Sequence, residues 1–298
     1  MRDDQEKSFG RDPILHYALF GLLCLTCAVF SFAQDPPTVR VMSFNVRYGT
    51  AGDGEDHWNK RKEMLFSTIQ AFDPDLLGTQ ELLAFQGDYL RKQLPAYEFF
   101  GAGRDDGKRM GEFTAVYFKK ERFERLDGGH YWLSETPEEV GSKSWDAAIT
   151  RMVTWVKLRD RKGGATFYYL NTHWDHKGEQ ARRASAKLMQ NRIAALGKDA
   201  TVIVTGDFNT NEDGESYKTL LGGEPKLLDS YRMAYPTRTA NEASFHGFKG
   251  GRAGSRIDWI LHTPQLTTTE AAIVHTNQDN RYPSDHYPVT AVLRFNEK

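Results

Sequence analysis

The chain contains 298 residues, of which 39 are Lys or Arg and 40 are Asp or Glu, giving a formal net charge of −1 at pH 7. A charge this close to zero provides no long-range attraction to nucleic acid or to acidic membranes, although a local basic patch would still bind a polyanion. The length allows one large domain or two small ones, and a hydrophobic fraction of 39% is ordinary for a globular protein.

The N-terminal segment differs from the rest of the chain. Charged residues stop at Asp12, and an apolar stretch follows from 14 to 33. Since Ser31-Phe32-Ala33 matches the small-x-small pattern before a cleavage site, we predict a signal peptide over 1–33 and a secreted or periplasmic protein. An uncleaved N-terminal membrane anchor is the alternative, because the stretch approaches the length that spans a bilayer.

Both cysteines, Cys24 and Cys27, fall inside this apolar segment. A mature chain cut after Ala33 would therefore contain no disulfide, no thiolate nucleophile and no cysteine-bound zinc. The stability of such an exported protein would depend on its hydrophobic core alone.

Hydrophobic periodicity predicts strands and helices from residue 38 onward. The first strand is predicted at 38–46, and a helix follows at 59–72. A strand at 75–81 and a helix at 85–94 come next, before strands at 97–101, 113–119, 152–158 and 167–172. A long helix at 178–196 precedes a strand at 201–205, and the last strands are predicted at 256–262, 271–275 and 289–295.

The order of these elements indicates the fold class. Strands outnumber helices about two to one, and several neighbouring strands lack a helix between them, which argues against a purely parallel alternating fold. The order instead predicts an α/β (α+β) architecture in which two mixed β-sheets pack together and helices cover the outside. Because we find no internal repeat and no linker, one domain is predicted over 38–298.

Polar side chains recur where a predicted strand ends. They are Asn45, Glu81, His173, Asp207 with Asn209, Asp258, and the pair Asp285 and His286. Each has an ordinary structural explanation, such as a turn at Asp207 and Asn209 or an ion pair between Asp258 and Arg256. Together they indicate a functional site, because the strand ends of a layered α/β fold meet at one edge.

The chemistry of these side chains favours a hard cation. Three or four carboxylate and amide oxygens with two histidines suit Mg²⁺ or Mn²⁺. Zinc prefers closely spaced histidines or cysteines, and no H-E-x-x-H pattern is present. His173 and His176 are a possible zinc pair, but on a strand they would face opposite sides unless a turn intervenes.

Six short motifs resemble those of a known superfamily. The segments SFNVR, GTQE, NTHWDH, TGDFN, RIDWI and SDHYPV, in this order and spacing, are similar to the exonuclease–endonuclease–phosphatase (DNase-I-like) superfamily, over 39–295. Its members include deoxyribonucleases, abasic-site endonucleases, inositol polyphosphate 5-phosphatases, secreted sphingomyelinases and deadenylases. The resemblance implies a four-layer α/β sandwich with its site at one edge of the sheets. The loops around the motifs look like those of exported bacterial members.

The resemblance implies a metal site. Mg²⁺, or Mn²⁺ in its place, would bind Glu81 as the principal ligand, with Asn45 beside it and Asp285 completing the acidic cluster. A bound cation offsets the charge that develops on the oxygens of a phosphoester. The reaction needs no protein nucleophile, in agreement with a mature chain that lacks cysteine and any G-x-S-x-G motif.

The resemblance also implies five catalytic roles. Asp207 would orient and deprotonate the attacking water, and Asn209 would hold the phosphate or the nucleophile. His286 would donate to a phosphoryl oxygen, with Asp258 fixing and charging its ring. His173 would donate to the phosphate from the other side.

Four residues outside these roles are candidates for substrate binding: Arg104, Arg151, His176 and His246. Arg104 lies in a Gly-rich loop that is either solvated or a cationic lip for a second anionic group. Arg151 opens a predicted strand. His176 and His246 lie in loops near the motif residues, where they contact substrate or face solvent.

The sequence thus predicts a secreted Mg²⁺-dependent phosphoesterase that hydrolyses a phosphomonoester or phosphodiester by direct attack of water. A secreted nuclease acting on DNA or RNA is the main alternative, and a catalytically silent binding module on the same fold is a third. The near-neutral charge favours a small or sugar-linked phosphoester over long DNA. No stable protein partner is implied, and we expect a monomer.

Overall fold

A computed structural model of the chain describes residues 37–297. The strands are β1 (Thr38–Asn45), β2 (Leu76–Gln80), β3 (Tyr97–Phe100), β4 (Val116–Lys119), β5 (Phe123–Trp132), β6 (Met152–Asp160), β7 (Thr166–His173), β8 (Val202–Asp207), β9 (Leu228–Asp229), β10 (Asp258–His262), β11 (Leu266–Ile273) and β12 (Val289–Phe295). The α-helices are α1 (Trp58–Phe72), α2 (Ala84–Gln93), α3 (Glu179–Ala194), α4 (Glu215–Leu221) and α5 (Ser230–Ala234).

The strands form two six-stranded sheets. The first sheet has the order β11-β12-β1-β2-β4-β3, and the second has the order β5-β6-β7-β8-β10-β9. Strands β1 and β2 run parallel in the first sheet, as do β7 and β8 in the second, whereas the remaining neighbours are antiparallel. Both sheets are therefore mixed, and the predicted pair of mixed sheets flanked by helices is confirmed.

The two sheets share one hydrophobic core between their inner faces. Fully buried side chains from both sheets meet there, including Val41, Leu76, Val156, Tyr169 and Ile203. Burial of apolar surface of this extent is the main force that holds the sheets together. The core fixes how the strand ends of one sheet stand against those of the other.

Helices cover the outer face of each sheet. Because neighbouring residues of a strand point to opposite faces, Met42 of β1 projects outward and packs in a cluster with Leu65 of α1. On the other side, Val204 of β8 packs in a cluster with Met189 of α3. The result is the sequence of layers expected for a four-layer sandwich: helices, sheet, sheet, helices.

Two edge strands depart from the predicted elements. Strand β5 was not predicted, and its register against β6 shifts between Arg125 and Asp127, which breaks the alternation of apolar and polar residues. Strand β11 begins at Leu266 rather than at 271, and its register shifts between Thr268 and Glu270. Edge strands bury fewer side chains, so hydrophobic periodicity marks them weakly. The short elements α4, α5 and β9 were also not predicted.

The predicted signal peptide at 1–33 lies outside the residues that the structure describes. Between residues 37 and 297, no helix combines the length and the apolar character that crossing a bilayer requires.

Candidate active site

The polar residues at strand ends meet at one edge of the sandwich. The first sheet contributes Asn45 at the end of β1, Glu81 after β2, and Asp285 and His286 shortly before β12. The second sheet contributes His173 at the end of β7, Asp207 at the end of β8, and Asp258 at the start of β10. Strand β10 runs antiparallel to β8 with Asp258 opposite Asp207, so a strand start and a strand end face the same edge.

These residues surround a cleft of about 640 Å³. The lining contains most of the predicted site residues: Glu81, Arg151, His173, His176, Asp207, Asn209, Asp285 and His286. Asn45 and Asp258 lie beneath it, each bonded to a lining residue. Most of the residues predicted from the sequence motifs therefore lie together around one cleft.

The donor set at one side of the cleft fits a hard divalent cation. Ligand atoms of Glu81, His173 and Asp207 all lie within 4.8 Å of one another. The carboxyl group of Asp285 is buried, and that burial raises its pKa, with Arg47 as the nearest cation at 3.7 Å. A bound cation would stabilise the ionised form of this buried carboxyl group, and carboxylate oxygens are the ligands that Mg²⁺ and Mn²⁺ prefer.

Asn45 orients the carboxylates of the site. Its Nδ2 donates to Oε1 of Glu81 at 3.1 Å and to Oδ2 of Asp207 at 2.9 Å. Its Oδ1 accepts a hydrogen bond from the backbone N–H of Arg47 at 3.0 Å. The amide of Asn45 thus aligns Glu81 and Asp207, while its oxygen, which has a second lone pair, stays a predicted ligand of the cation.

Asp207 has the properties of a base that works near neutral pH. Burial, followed by the charge of Asp258, raises the pKa of Asp207 to about 7. The backbone N–H of Asn209 donates to its Oδ1 at 3.0 Å, which fixes the carboxyl plane. A carboxylate with a pKa near the working pH is an effective general base.

His286 and Asp258 form a buried pair. The Nδ1 of His286 lies 2.9 Å from Oδ2 of Asp258. Burial alone would lower the pKa of His286, but the carboxylates of Asp258 and Asp207 outweigh it and raise this pKa well above the usual value. The imidazole is therefore protonated and can donate from Nε2. Arg256, the alternative partner of Asp258, instead bonds to Asp229 and Glu212.

His173 is a neutral ring. Burial, followed by the charge of Arg151, lowers the pKa of His173 well below its usual value. Its Nε2 lies 3.0 Å from Nδ2 of Asn209, which also donates to the carbonyl of Trp174 at 3.1 Å. An amide nitrogen donates only, so Nε2 of His173 accepts and Nδ1 carries the ring proton. Any hydrogen bond that His173 donates in this arrangement must therefore come from Nδ1.

Arg151 is a buried cation without a matching anion. Its side chain is only 4% exposed, and its Nε and Nη1 have no hydrogen-bond partner. Its Nη2 donates to Nδ1 of His176 at 3.2 Å, and the nearest carboxylate, that of Asp175, is 3.9 Å away. Because a buried charge needs compensation, the guanidinium favours an anion in the cleft.

Two substrate-binding candidates do not reach the cleft. Arg104 donates two hydrogen bonds to Glu112, at 2.7 and 2.9 Å, and it is Glu112 that lines the cavity. His246 stacks on Tyr287 with ring centroids 4.0 Å apart, and burial lowers its pKa to about 4. An ion pair and ring packing thus keep Arg104 and His246 out of the lining of the cleft, and their substrate contacts stay predictions.

The cleft also contains residues that the sequence did not indicate. Arg47 donates two hydrogen bonds to Asp53 and lies 3.9 Å from Glu81. Phe245 and Phe248 also line the cleft, and Phe245 is 50% exposed beside the ring of His286. Arg47 is the last residue of the SFNVR motif, although no role was predicted for it, whereas no sequence signal separates Phe245 from a core aromatic residue.

A mixed-sheet sandwich with clustered carboxylates and imidazoles at its edge defines a metal-dependent hydrolase that acts on ester bonds. The sequence profile of the Endonuclease/Exonuclease/phosphatase family matches residues 42–286, and the chain belongs to this family. The superfamily resemblance is thus confirmed.

Known structures and proteins agree with this assignment. A family protein from Bacteroides thetaiotaomicron is 33% identical, with a TM-score of 0.82 and coverage of 89% of this chain and 100% of that chain. A mannosyl-6-phosphatase from Bacteroides thetaiotaomicron VPI-5482 is 34% identical, with a TM-score of 0.79 and coverage of 86% and 100%. Nocturnin from Rattus norvegicus is 25% identical over 89% of this chain and 68% of its own length.

Proposed function

We propose that this protein is a secreted or periplasmic phosphatase that uses Mg²⁺ to hydrolyse a small, sugar-linked phosphomonoester. The arrangement that carries the proposal is Asp207, a base with a pKa of about 7, beside the carboxylate of Glu81, which would bind the cation, and 3.7 Å from Nε2 of the protonated His286. The similarity to a mannosyl-6-phosphatase supports a phosphorylated hexose as the substrate class. The near-neutral net charge of the chain supports a small substrate over a long polyanion.

Glu81 and Asp285 would hold the metal ion, and Asn45 would keep Glu81 and Asp207 aligned. When bound, Mg²⁺ would offset negative charge on the phosphoryl oxygens. Manganese would fit the same oxygen ligands. Metal dependence is a property of the family, and the identity of the ion is part of the proposal.

Asp207 would accept a proton from a water molecule as the water oxygen forms its bond to phosphorus and the ester P–O bond breaks. The leaving alkoxide would take a proton from solvent water and depart as an alcohol, and Asp207 would return its proton to solvent. Asn209, on the same loop, would hold the phosphate or the water. His286 would donate from Nε2 to a phosphoryl oxygen, with Asp258 stabilising the imidazolium. The neutral His173 would contribute Nδ1–H as a further donor. No side chain forms a covalent intermediate in this scheme.

Arg151, which lines the cleft, would bind the phosphoryl group. Its unpaired nitrogens and its burial make it the cation in the described cleft that lacks a close carboxylate, since Arg47 is bonded to Asp53. A phosphomonoester carries nearly two negative charges near neutral pH, whereas a diester carries one. The additional charge favours the monoester at this guanidinium.

A nuclease is the second candidate, because the half-exposed Phe245 beside His286 offers a surface on which a base could stack. We propose to assay p-nitrophenyl phosphate, bis-p-nitrophenyl phosphate, phosphorylated hexoses including mannose 6-phosphate, and single-stranded oligonucleotides, each with Mg²⁺ and with EDTA. Metal-dependent release of phosphate from hexose phosphates, absent in Asp207→Asn, is expected. Cleavage of oligonucleotides in preference to every monoester would support the nuclease and contradict the phosphatase.

Export is a separate part of the proposal and rests on the apolar stretch at 14–33. Expression of the full chain in a bacterial host should yield a protein in the periplasmic or medium fraction whose N-terminus follows Ala33. An intact N-terminus in the membrane fraction would support the anchor instead.

A further inference from the structure

The paired residues His286 and Asp258 belong to different sheets. Asp258 opens β10 of the second sheet, whereas His286 precedes β12 of the first. Their hydrogen bond of 2.9 Å therefore depends on the distance between the start of β10 in one sheet and the segment before β12 in the other. A third segment, residues 242–247, lies against both of them.

Ser244, in the middle of this segment, bonds to the neighbours of both paired residues. Its Oγ accepts hydrogen bonds from the backbone N–H of Ile257 at 2.9 Å and of Asp258 at 3.1 Å. Its carbonyl oxygen accepts from the backbone N–H of Tyr287 at 2.7 Å. The residue is fully buried, so water cannot replace these bonds.

The rest of the segment extends the same connection. The backbone N–H groups of His246 and Gly247 both donate to the carbonyl oxygen of Asp285, at 2.9 and 3.1 Å. On the other side of Ser244, the carboxylate of Glu242 accepts from Arg232 at 2.6 Å and from the backbone N–H of Thr239 at 2.9 Å. The segment is thus bonded at both ends and has little freedom to move away from the pair.

A buried ion cluster anchors the same region to the loop of the base. Glu212, three residues after Asn209, bonds to both Arg232 and Arg256. Arg256 lies two residues before Asp258, and its side chain is fully buried. The loop that carries Asn209, the start of β10 and the segment of Ser244 are consequently joined to one another.

We propose that Ser244 is a positioning residue that sets the distance and direction of the hydrogen bond between His286 and Asp258 across the two sheets. The inference rests on the proposed function for the importance of this bond to turnover, but the bond itself can be observed without substrate. Ser244 holds the backbone of Asp258 and that of Tyr287, the residue after His286, and touches neither reacting atom, so its effect should fall on kcat rather than on KM.

The test compares Ser244→Ala and Ser244→Cys with a matched control in the full chain. Ser230→Ala removes another buried serine hydroxyl, one that has no hydrogen-bond partner. The Nδ1-bound proton of His286 is followed by proton NMR without substrate and is assigned by its loss in His286→Gln. Melting temperature, kcat and KM are measured on the same samples.

Both Ser244 variants should shift or lose the His286 resonance and lower kcat by about tenfold or more, with KM within about twofold. Ser230→Ala should match the wild type in resonance, kcat and KM. The thiol of Ser244→Cys fills the space of the hydroxyl but accepts hydrogen bonds weakly, so this variant remains informative if Ser244→Ala does not fold. A folded Ser244→Cys protein with an unchanged resonance and unchanged kcat would overturn the proposal, as would a wild-type protein without any resonance assignable to His286.

The outcome also separates this inference from the proposed function. If the resonance responds to Ser244 as expected while no phosphoester is hydrolysed, the positioning role stands and the phosphatase assignment fails. If hexose phosphates are hydrolysed but the Ser244 variants leave the resonance and kcat unchanged, the phosphatase assignment is supported and the positioning role is contradicted.

Discussion

Asn45 and Asp207 are 162 positions apart in the chain and belong to different sheets, yet Nδ2 of Asn45 donates to Oδ2 of Asp207 over 2.9 Å. The same nitrogen donates to Glu81 at 3.1 Å. One amide group therefore fixes the spacing between the residue proposed as the base and a residue proposed to hold the metal. In the proposed mechanism, water activation and charge neutralisation both depend on this shared contact.

Asp207→Ala should lower kcat by about 10²–10⁴-fold, the range that a general base contributes. Removing the carboxyl group leaves the attacking water without a proton acceptor. Steady-state kinetics on the best hexose phosphate would measure the loss, with Asp213→Ala, an exposed acid on the following loop, as the control. An Asp207→Ala protein with wild-type turnover would remove this residue from the mechanism.

Glu81→Gln should weaken binding of the divalent ion by about tenfold or more, because a neutral amide oxygen replaces an anionic ligand. Isothermal titration calorimetry with Mn²⁺ on metal-free protein measures this without relying on activity. Glu98→Gln, on β3 and outside the cleft, is the matched control and should bind as the wild type does. Equal affinities in Glu81→Gln and the control would place the ion elsewhere.

Arg151→Met should raise KM for a phosphomonoester by about 10–100-fold, since a charge-assisted hydrogen bond contributes about 1.5–3 kcal/mol. The effect should be smaller for a diester, which carries less charge. Arg125→Met, at an ion pair with Glu98 on the surface, is the control. The selectivity between p-nitrophenyl phosphate and its bis ester is the decisive readout, and an unchanged ratio would argue against this role.

The stability of the metal-free protein should depend on the titration of Asp207. Its pKa is about 7 in the folded protein, above the ordinary value of 3.8, so folding favours the neutral acid. This stabilisation is complete at low pH and is lost as the pH rises toward about 7, with each pKa unit equivalent to about 1.4 kcal/mol. Asp207→Asn cannot ionise and should lack this contribution.

Thermal melts in EDTA from about pH 5 to about pH 8 would test the difference. The melting temperature of the wild type should fall relative to that of Asp207→Asn as the pH increases. Taking the difference removes the titrations of groups that do not interact with Asp207, whereas His173 and His286 lie 3.3 and 3.7 Å from its carboxyl group and respond to the substitution. Parallel curves for the two proteins would show that Asp207 is ionised throughout this range.

The sequence predicted those parts of the site that depend on local pattern. Asp207 follows a run of β-branched residues, and Glu81 and His173 likewise end apolar strands, so their positions at the sheet edge could be inferred. Because side chains along a strand alternate between the two faces of a sheet, the apolar pattern also indicated that each sheet packs on both faces, which gives the layers of the sandwich.

What the sequence did not predict depends on partners far along the chain. The amide orientation of Asn45 follows from two carboxylates and one backbone N–H that only the folded chain brings together. His246 has the residue type of a ligand, but its stacking on Tyr287 could not be read from spacing. The edge strand β5 lacked a clear period because its register shifts.

The path of the chain between the sheets has a mechanical consequence. Between residues 37 and 297, the backbone passes from one sheet to the other only twice, after Lys119 and after His262. Lys119 ends β4 beside the start of β2, and His262 ends β10 beside the start of β8. Because β2 and β8 end at the cleft, both crossing points are remote from it.

Both covalent connections between the sheets thus lie at the edge of the sandwich remote from the cleft. At the cleft edge, only non-covalent contacts hold the two sheets together. At moderate urea concentrations the sheets should separate first at the cleft edge. Turnover should therefore be lost at a lower urea concentration than the circular dichroism signal of the sheets. Coincident loss of both signals would mean that the two sheets separate and unfold as a single unit.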